Sequence, residues 1–237
     1  MSAKACGFFV TGTDTGVGKT LVSWALLRAL AGRGLRVVGM KPVAAGAERI
    51  VGKLVNDDVI ALRAASNVSA PEDLVNPYCL VPAIAPHIAA ADAGVQIDLE
   101  RLERACVSLA ALADCVVVEG AGGFRVPLGR EFDMRDLAAR LGLPVILVVG
   151  MRLGCLNHAL LTAESIAAAG LELAGWIANE IDPEMSRVEE NVQTLTQRLA
   201  APLLARVPHC GTSDAARIAC KIDIDLLRLP AKRDERA

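Results

Sequence analysis

The sequence lacks several features that would classify it at once. No apolar run is long enough to cross a bilayer. The longest uncharged stretches, such as residues 141–151, stop well short of the roughly 20 residues a spanning helix needs. Residues 1–7 show no basic flank leading into an apolar segment of signal-peptide length, so no export signal is expected. None of the seven cysteines forms a Cys-x-x-Cys pair, and none joins a histidine at zinc-ligand spacing. An odd number of cysteines in a chain of this size predicts reduced, mostly buried thiols and a cytoplasmic protein. An excess of one charge is also missing. With 25 basic and 27 acidic residues the net charge is −2, which argues against a nucleic-acid partner. No internal repeat stands out, and no linker rich in Pro, Gly or Ser divides the chain.

What is present is apolar surface. Hydrophobic residues make up 53% of 237 residues and the mean hydropathy is +0.41. Without a membrane span, that excess must be buried, as it is when helices cover both faces of a sheet. Apolar runs alternate with helical patterns along the chain. Strands are expected at 7–11, 35–40, 114–118, 144–150, 173–178 and 203–207. Helices are expected at 19–31, 57–65, 99–113 (with Asp98 as its cap), 155–169 and 186–199. The alternation predicts an α/β fold: a single-domain parallel sheet with helices on both faces and right-handed crossovers. One domain over 1–230 is expected, followed by a charged tail at 231–237.

The strongest local signal is Gly12-Thr13-Asp14-Thr15-Gly16-Val17-Gly18-Lys19-Thr20, between the first strand and the first helix. Glycines let backbone N–H groups approach phosphate oxygens, and the helix N-terminus adds roughly half a positive charge. Lys19 can bridge β- and γ-phosphates, and the Thr20 hydroxyl can hold Mg²⁺. The spacing is unusual: five residues separate Gly12 from Gly18, where the common pattern has four. The loop does not fit the dinucleotide fingerprint.

Ligands of open α/β sheets bind at the carboxyl ends of strands, so other strand ends are informative. Glu119, followed by Gly120-Ala121-Gly122-Gly123 in a turn, is either a metal carboxylate or a solvated acid. Lys41 is either a second cation near a transferring phosphoryl group or an ordinary surface lysine. Asp57 and Asp58 are either a helix-cap pair or include a second metal ligand. The turn Arg152-Leu153-Gly154 is either an ordinary connection or offers free N–H groups at Gly154 and Cys155 to a carboxylate.

Taken together, these residues resemble the dethiobiotin synthetase family. The resemblance rests on Thr11-Gly12-Thr13-Asp14-Thr15, Val17-Gly18-Lys19-Thr20, Lys41-Pro42-Val43-Ala44, Asn76-Pro77-Tyr78 and Pro86-His87. It continues through Val118-Glu119-Gly120-Ala121-Gly122-Gly123, Leu153-Gly154-Cys155-Leu156-Asn157-His158 and Gly175-Trp176-Ile177-Ala178-Asn179. It covers about residues 8–208 in order. It implies a P-loop NTPase-like fold and an ATP- and Mg²⁺-dependent carboxylation of 7,8-diaminopelargonic acid with CO₂. By resemblance, Thr20, Asp58 and Glu119 hold Mg²⁺, and Gly16, Val17, Gly18 and Lys19 cradle phosphate. Lys19 and Lys41 neutralise charge in the reaction, and Thr15 contacts substrate. Asn179 reads adenine, with the backbone around Pro208 and Cys210 over the base. The family forms homodimers, and Gly154, Cys155 and Asn157 match the part that holds the substrate carboxylate of the other subunit.

Three departures stand out. Ala45 occupies a position that is often a substrate-contacting serine, Gly16 one that is often acidic, and Phe124 one where Trp is common. Two relatives of the fold compete with this reading. Cobyrinic-acid amide synthetases carry a fused amidotransferase domain, for which 237 residues leave no room. Partitioning-type switch ATPases carry an extra lysine where this chain has Asp14.

Overall fold

The computed structural model describes residues 7–209, 218–219 and 221–229. Its elements run β1 (Gly7–Gly12), α1 (Lys19–Gly32), β2 (Val37–Met40), β3 (Val43–Ala45), β4 (Glu48–Ile50), β5 (Lys53–Val55), α2 (Asp57–Ala65), α3 (Glu72–Val75), β6 (Tyr78–Leu80) and α4 (Pro86–Asp92). They continue with α5 (Leu99–Leu112), β7 (Cys115–Gly123), α6 (Met134–Leu141), β8 (Val145–Met151), α7 (Cys155–Ala168), β9 (Leu173–Glu180), α8 (Val188–Arg198) and β10 (Leu203–Val207). Six strands form one parallel sheet in the order β10-β9-β8-β1-β7-β2. Two small accessories, β3 with β6 and β4 with β5, stand beside it.

The sheet is apolar on both faces because helices cover both. Along β1, Phe8 and Val10 point into one layer with Val22, Leu26 and Leu30 of α1. Phe9 points the other way, into a layer with Leu102 and Leu109 of α5 and Leu137 of α6. On that second face, Leu147 and Val149 of β8 pack with Ala159 of α7 and Leu195 of α8. The period-two alternation sends successive side chains into different layers. Truncating a fully buried anchor such as Phe9 would cost about 3–5 kcal/mol. No helix among the described residues is long and apolar enough to cross a membrane.

All six strands and all five helices expected from the sequence form, with ends shifted by a few residues. One difference bears on the site. β7 does not stop at Val118: it carries Glu119 and the glycines through to Gly123, where a turn was expected. Gly12 of β1 pairs with Gly123 after a register shift, and that pairing keeps the glycines in the sheet. Helix α6 was not expected. It is closed by a reciprocal cap in which Asp133 accepts from the Asp136 N–H and Asp136 accepts from the Asp133 N–H. The expected tail at 231–237 lies outside the described residues.

Candidate active site

The phosphate loop leaves β1 at the carboxyl edge of the sheet and enters α1 at Lys19. Gly18 takes φ +89°, and a Cβ there would meet the Asn179 side-chain nitrogen at 2.2 Å. The left-handed conformation favours glycine at that position, and the missing Cβ leaves room for the Asn179 amide. Asn179 arrives from the end of β9 and donates from Nδ2 to the Val17 carbonyl at 2.8 Å, buried under the loop. Its side chain thus already fixes the loop. Lys19 is buried, and its Nζ donates to the Asp14 carbonyl at 2.9 Å. Burial, reinforced by the Lys41 charge, pushes the Lys19 ammonium down to about 8.

Next to the loop, four side chains from four elements converge. Lys41 follows β2 directly, Asp58 sits in the first turn of α2, Glu119 lies within β7 and Thr20 opens α1. Lys41 Nζ lies 2.6 Å from Glu119 Oε1 and 2.7 Å from Asp58 Oδ2. The Thr20 hydroxyl lies 2.7 Å from Asp58 Oδ1 and 2.9 Å from Glu119 Oε1, and with one proton it can donate to only one of them at a time. Glu119 is completely buried, and its Oε2 has no hydrogen-bond partner. Burial pushes the Lys41 ammonium down, but Glu119 and Asp58 outweigh burial and hold it above its ordinary range. Burial pushes Asp58 up, and Lys41 and Thr20 more than reverse that, leaving it below its ordinary value. Lys41 is 4% exposed, so it is no ordinary surface lysine, and Glu119 is no solvated acid.

Local sequence explains how the cluster is held. Asn56, not an aspartate, caps α2 by accepting from the Asp58 and Val59 N–H groups, which leaves the Asp58 carboxylate free for the site. Asn immediately before a helical pattern is a legible N-cap signal, and of the two readings left open for the aspartates, the helix-cap pair does not hold. Asn76 donates to the Lys41 carbonyl at 2.6 Å, and the Lys41 N–H donates to the Val75 carbonyl at 2.8 Å. The backbone carrying the lysine is thereby clamped from both sides.

A cleft of about 690 Å³ runs along this cluster. It is lined by Thr15, Gly16, Gly18, Lys19, Thr20, Lys41, Asp58 and Glu119, and beyond them by Ala45, Ile84, Pro86 and Val126. The nominated residues Gly154, Cys155, Asn157, Asn179 and Pro208 do not line it. Asn157 and Pro208 are exposed. Gly154 caps α7 with φ +95° and open space around it. The Cys155 N–H is not free as expected: the tight turn commits it to the Arg152 carbonyl at 3.0 Å. Cys210 lies outside the described residues.

Known proteins place this arrangement. The AAA domain family matches residues 6–217. The ATP-dependent dethiobiotin synthetase BioD of Aromatoleum aromaticum is 58% identical over 94% of this chain and 97% of its own length. The chain belongs to the ATP-dependent dethiobiotin synthetase family. The enzyme of that name from Nitrosospira multiformis is 56% identical over 92% of this chain and 95% of its own. This family member is accordingly an ATP-using ligase of biotin biosynthesis. The MinC:MinD cell division protein complex of Aquifex aeolicus superposes with a TM-score of 0.59 at 17% identity, covering 97% of this chain and 99% of that one. That likeness is one of fold. The lysine that the sequence reading expects of partitioning-type ATPases is replaced in this synthetase by Asp14, whose carboxylate pairs with Arg152.

Proposed function

We propose that the ligase closes the ureido ring of dethiobiotin from 7,8-diaminopelargonic acid and CO₂, converting ATP to ADP and phosphate. One amine adds to CO₂ and loses a proton, giving a carbamate. A carbamate oxygen attacks the γ-phosphorus, and the bond from that phosphorus to ADP breaks. The second amine then attacks the carbonyl carbon of the mixed anhydride, the ring closes, and phosphate leaves with the bridging oxygen.

The carbamate is a weak nucleophile, so positioning and charge neutralisation must supply most of the rate. Gly16, Val17 and Gly18 offer backbone to the phosphates, and Lys19 follows the β- and γ-phosphates. Lys41 lies between the two carboxylates and the open cleft, where it neutralises charge on carbamate and phosphoryl oxygens. Thr15 contacts substrate at the cleft mouth. Ala45 lines the same cleft, so a contact there falls to backbone or water.

The donor set fits Mg²⁺. Thr20, Asp58 and Glu119 are hard oxygen ligands, two carboxylates suffice for an ion that keeps water and phosphate ligands, and Glu119 Oε2 lacks any partner. When bound, the ion would neutralise charge on the β- and γ-phosphate oxygens. Asn179 serves the adenine edge as well as the loop, with backbone near Pro208 on the base side. Gly154 and Asn157 serve the partner's substrate carboxylate in a homodimer, and the buried Cys155 anchors the turn that carries them. One domain over 1–230 in the cytoplasm completes the reading.

The observation that carries it is the completely buried Glu119 with one unpartnered oxygen, joined to Lys41, Asp58 and Thr20 at the phosphate loop. The test supplies diaminopelargonic acid, bicarbonate, Mg²⁺ and ATP and looks for dethiobiotin by mass. Folded enzyme that binds ADP yet forms no dethiobiotin would sink the reading.

A further inference from the structure

The cluster around Lys41 does not involve Asp14 or Arg152, although these two meet across the phosphate loop. Asp14 is an odd residue for its place. A loop whose N–H groups attract a polyanion gains nothing from a fixed carboxylate of its own. Its two oxygens are both engaged. Oδ1 accepts from the Thr15 N–H at 2.7 Å, and Oδ2 accepts from the Arg152 guanidinium. The backbone carbonyl of the same residue accepts from Lys19 Nζ at 2.9 Å. One residue therefore orients both the N–H of a cleft-lining threonine and the loop lysine.

Arg152 comes from the turn after β8, and β8 itself is tied to the loop at two further points. The Thr13 N–H donates to the Val148 carbonyl at 3.0 Å, and the Gly150 N–H donates to Thr13 Oγ1 at 3.4 Å. Beyond these anchors Gly16 takes φ +75° with open space around it. The Thr15 N–H bond is the main cause that holds the Asp14 carboxyl below its ordinary value, with Arg152 and His158 adding to it, so the residue is ionised at neutral pH.

We propose that Arg152 is a positioning residue for nucleotide binding: it cancels the Asp14 charge and pins the first half of the phosphate loop so that Thr15 and Lys19 face the phosphates. The pair is roughly half exposed, so its contribution to fold stability is small. Its effect falls on the ligand. Without Arg152, an uncompensated carboxylate remains in the loop that binds the phosphates.

The inference concerns phosphate binding and can be tested without the ring-closing reaction. Mg-ADP affinity is measured by calorimetry for the full chain and for Arg152→Gln, Arg152→Lys, Asp14→Asn and the double variant Asp14→Asn/Arg152→Gln. Unchanged circular dichroism and melting temperature establish that each is folded. Arg152→Gln should weaken ADP binding by roughly fivefold to twentyfold, the scale of a partly exposed charge acting on a polyanion. Arg152→Lys should recover most of that loss. The double variant removes both charges while Asn keeps an acceptor for the Thr15 N–H, so it should return to within about threefold of the parent. In turnover, Arg152→Gln should raise the KM for ATP more than it lowers kcat. Unchanged ADP affinity in Arg152→Gln would overturn the proposal. So would a double variant no better than Arg152→Gln, or a loss confined to the KM for the diamine. Absence of dethiobiotin formation in the parent would fail the proposed reaction while leaving the ADP comparison standing.

Discussion

The two sides of the phosphate loop differ sharply. On one side, Lys41 is 4% exposed and Glu119 is buried completely, and each has its partners within the same chain. On the other, the turn into α7 exposes Leu153 at 95%, leaves Leu161 half exposed, and buries only Cys155, Ala159 and Ile166 of a 14-residue helix. Desolvating a lysine and a carboxylate costs several kcal/mol, which good geometry offsets only in part. A fold that keeps such a pair at the ligand-binding edge of its sheet keeps it for chemistry. The α7 side leaves apolar side chains exposed, which suits the proposed contact with a second copy. The half proposed for catalysis is thus held within one chain, whereas the half proposed to bind the carboxylate lies at the exposed turn into α7.

Breaking the buried side should cost most. Lys41→Gln keeps a polar, flexible side chain but removes its charge. We expect kcat/KM to fall by roughly 10²–10³, the scale for removing one preorganised electrostatic group. Steady-state kinetics on variants with parental circular dichroism checks this, and parental kinetics would remove Lys41 from its role.

The open side predicts a smaller loss with a different address. In mixed dimers pairing an Asn157→Ala subunit with a Lys41→Gln subunit, the arrangement separates own-site from cross-subunit action. If Asn157 serves the partner, the intact Lys41 site belongs to the Asn157→Ala subunit and receives its carboxylate contact from the Lys41→Gln subunit. Roughly half the parental activity should then survive, whereas Asn157→Ala homodimers should lose roughly tenfold or more in kcat/KM. Loss of that surviving activity in the mixed dimer would confine Asn157 to its own site.

Between the two sides stands Lys19, whose ammonium is pushed down to about 8 by burial and by Lys41. Phosphate binds the protonated form. Above about pH 8 in the free protein, ADP affinity should therefore fall, by up to about tenfold per unit, until the nucleotide itself holds the proton on. Calorimetry near pH 8.5 in buffers of different ionisation enthalpy should register proton uptake on binding. No uptake would show that Lys19 is already fully charged. The smallest effect belongs to Leu153→Ser. It should leave the melting temperature of dilute, dissociated chains within about 1 °C, since a 95% exposed side chain has little to lose, yet shift self-association toward monomer.

The same contrast governs what could be read from sequence. The sheet was legible because its strands are continuous apolar runs, and the phosphate loop because glycine, lysine and threonine fall at one strand-to-helix junction. From the residues alone Lys41, Asp58 and Glu119 could be nominated only one by one, and the family resemblance was needed to group Asp58 with Glu119; that they touch depends on β2 and β7 being neighbours while β1 separates β7 from β8. Spacing along the chain carries no such information. The short pairings of β3 with β6 and β4 with β5 were missed because three-residue strands leave no periodicity. Helix α6 did leave a signal, an aspartate at Asp133 answered three residues later by Asp136. The Asp14–Arg152 contact spans 138 residues, so nothing local announces it.

The central claim is that carbamate oxygen attacks ATP beside Lys41, and an oxygen label follows that step. Enzyme, ATP, Mg²⁺ and diaminopelargonic acid are mixed with ¹⁸O-labelled CO₂ in unlabelled water and quenched before the label washes out. The account predicts inorganic phosphate carrying one ¹⁸O for each dethiobiotin formed. Unlabelled phosphate released with dethiobiotin would contradict it.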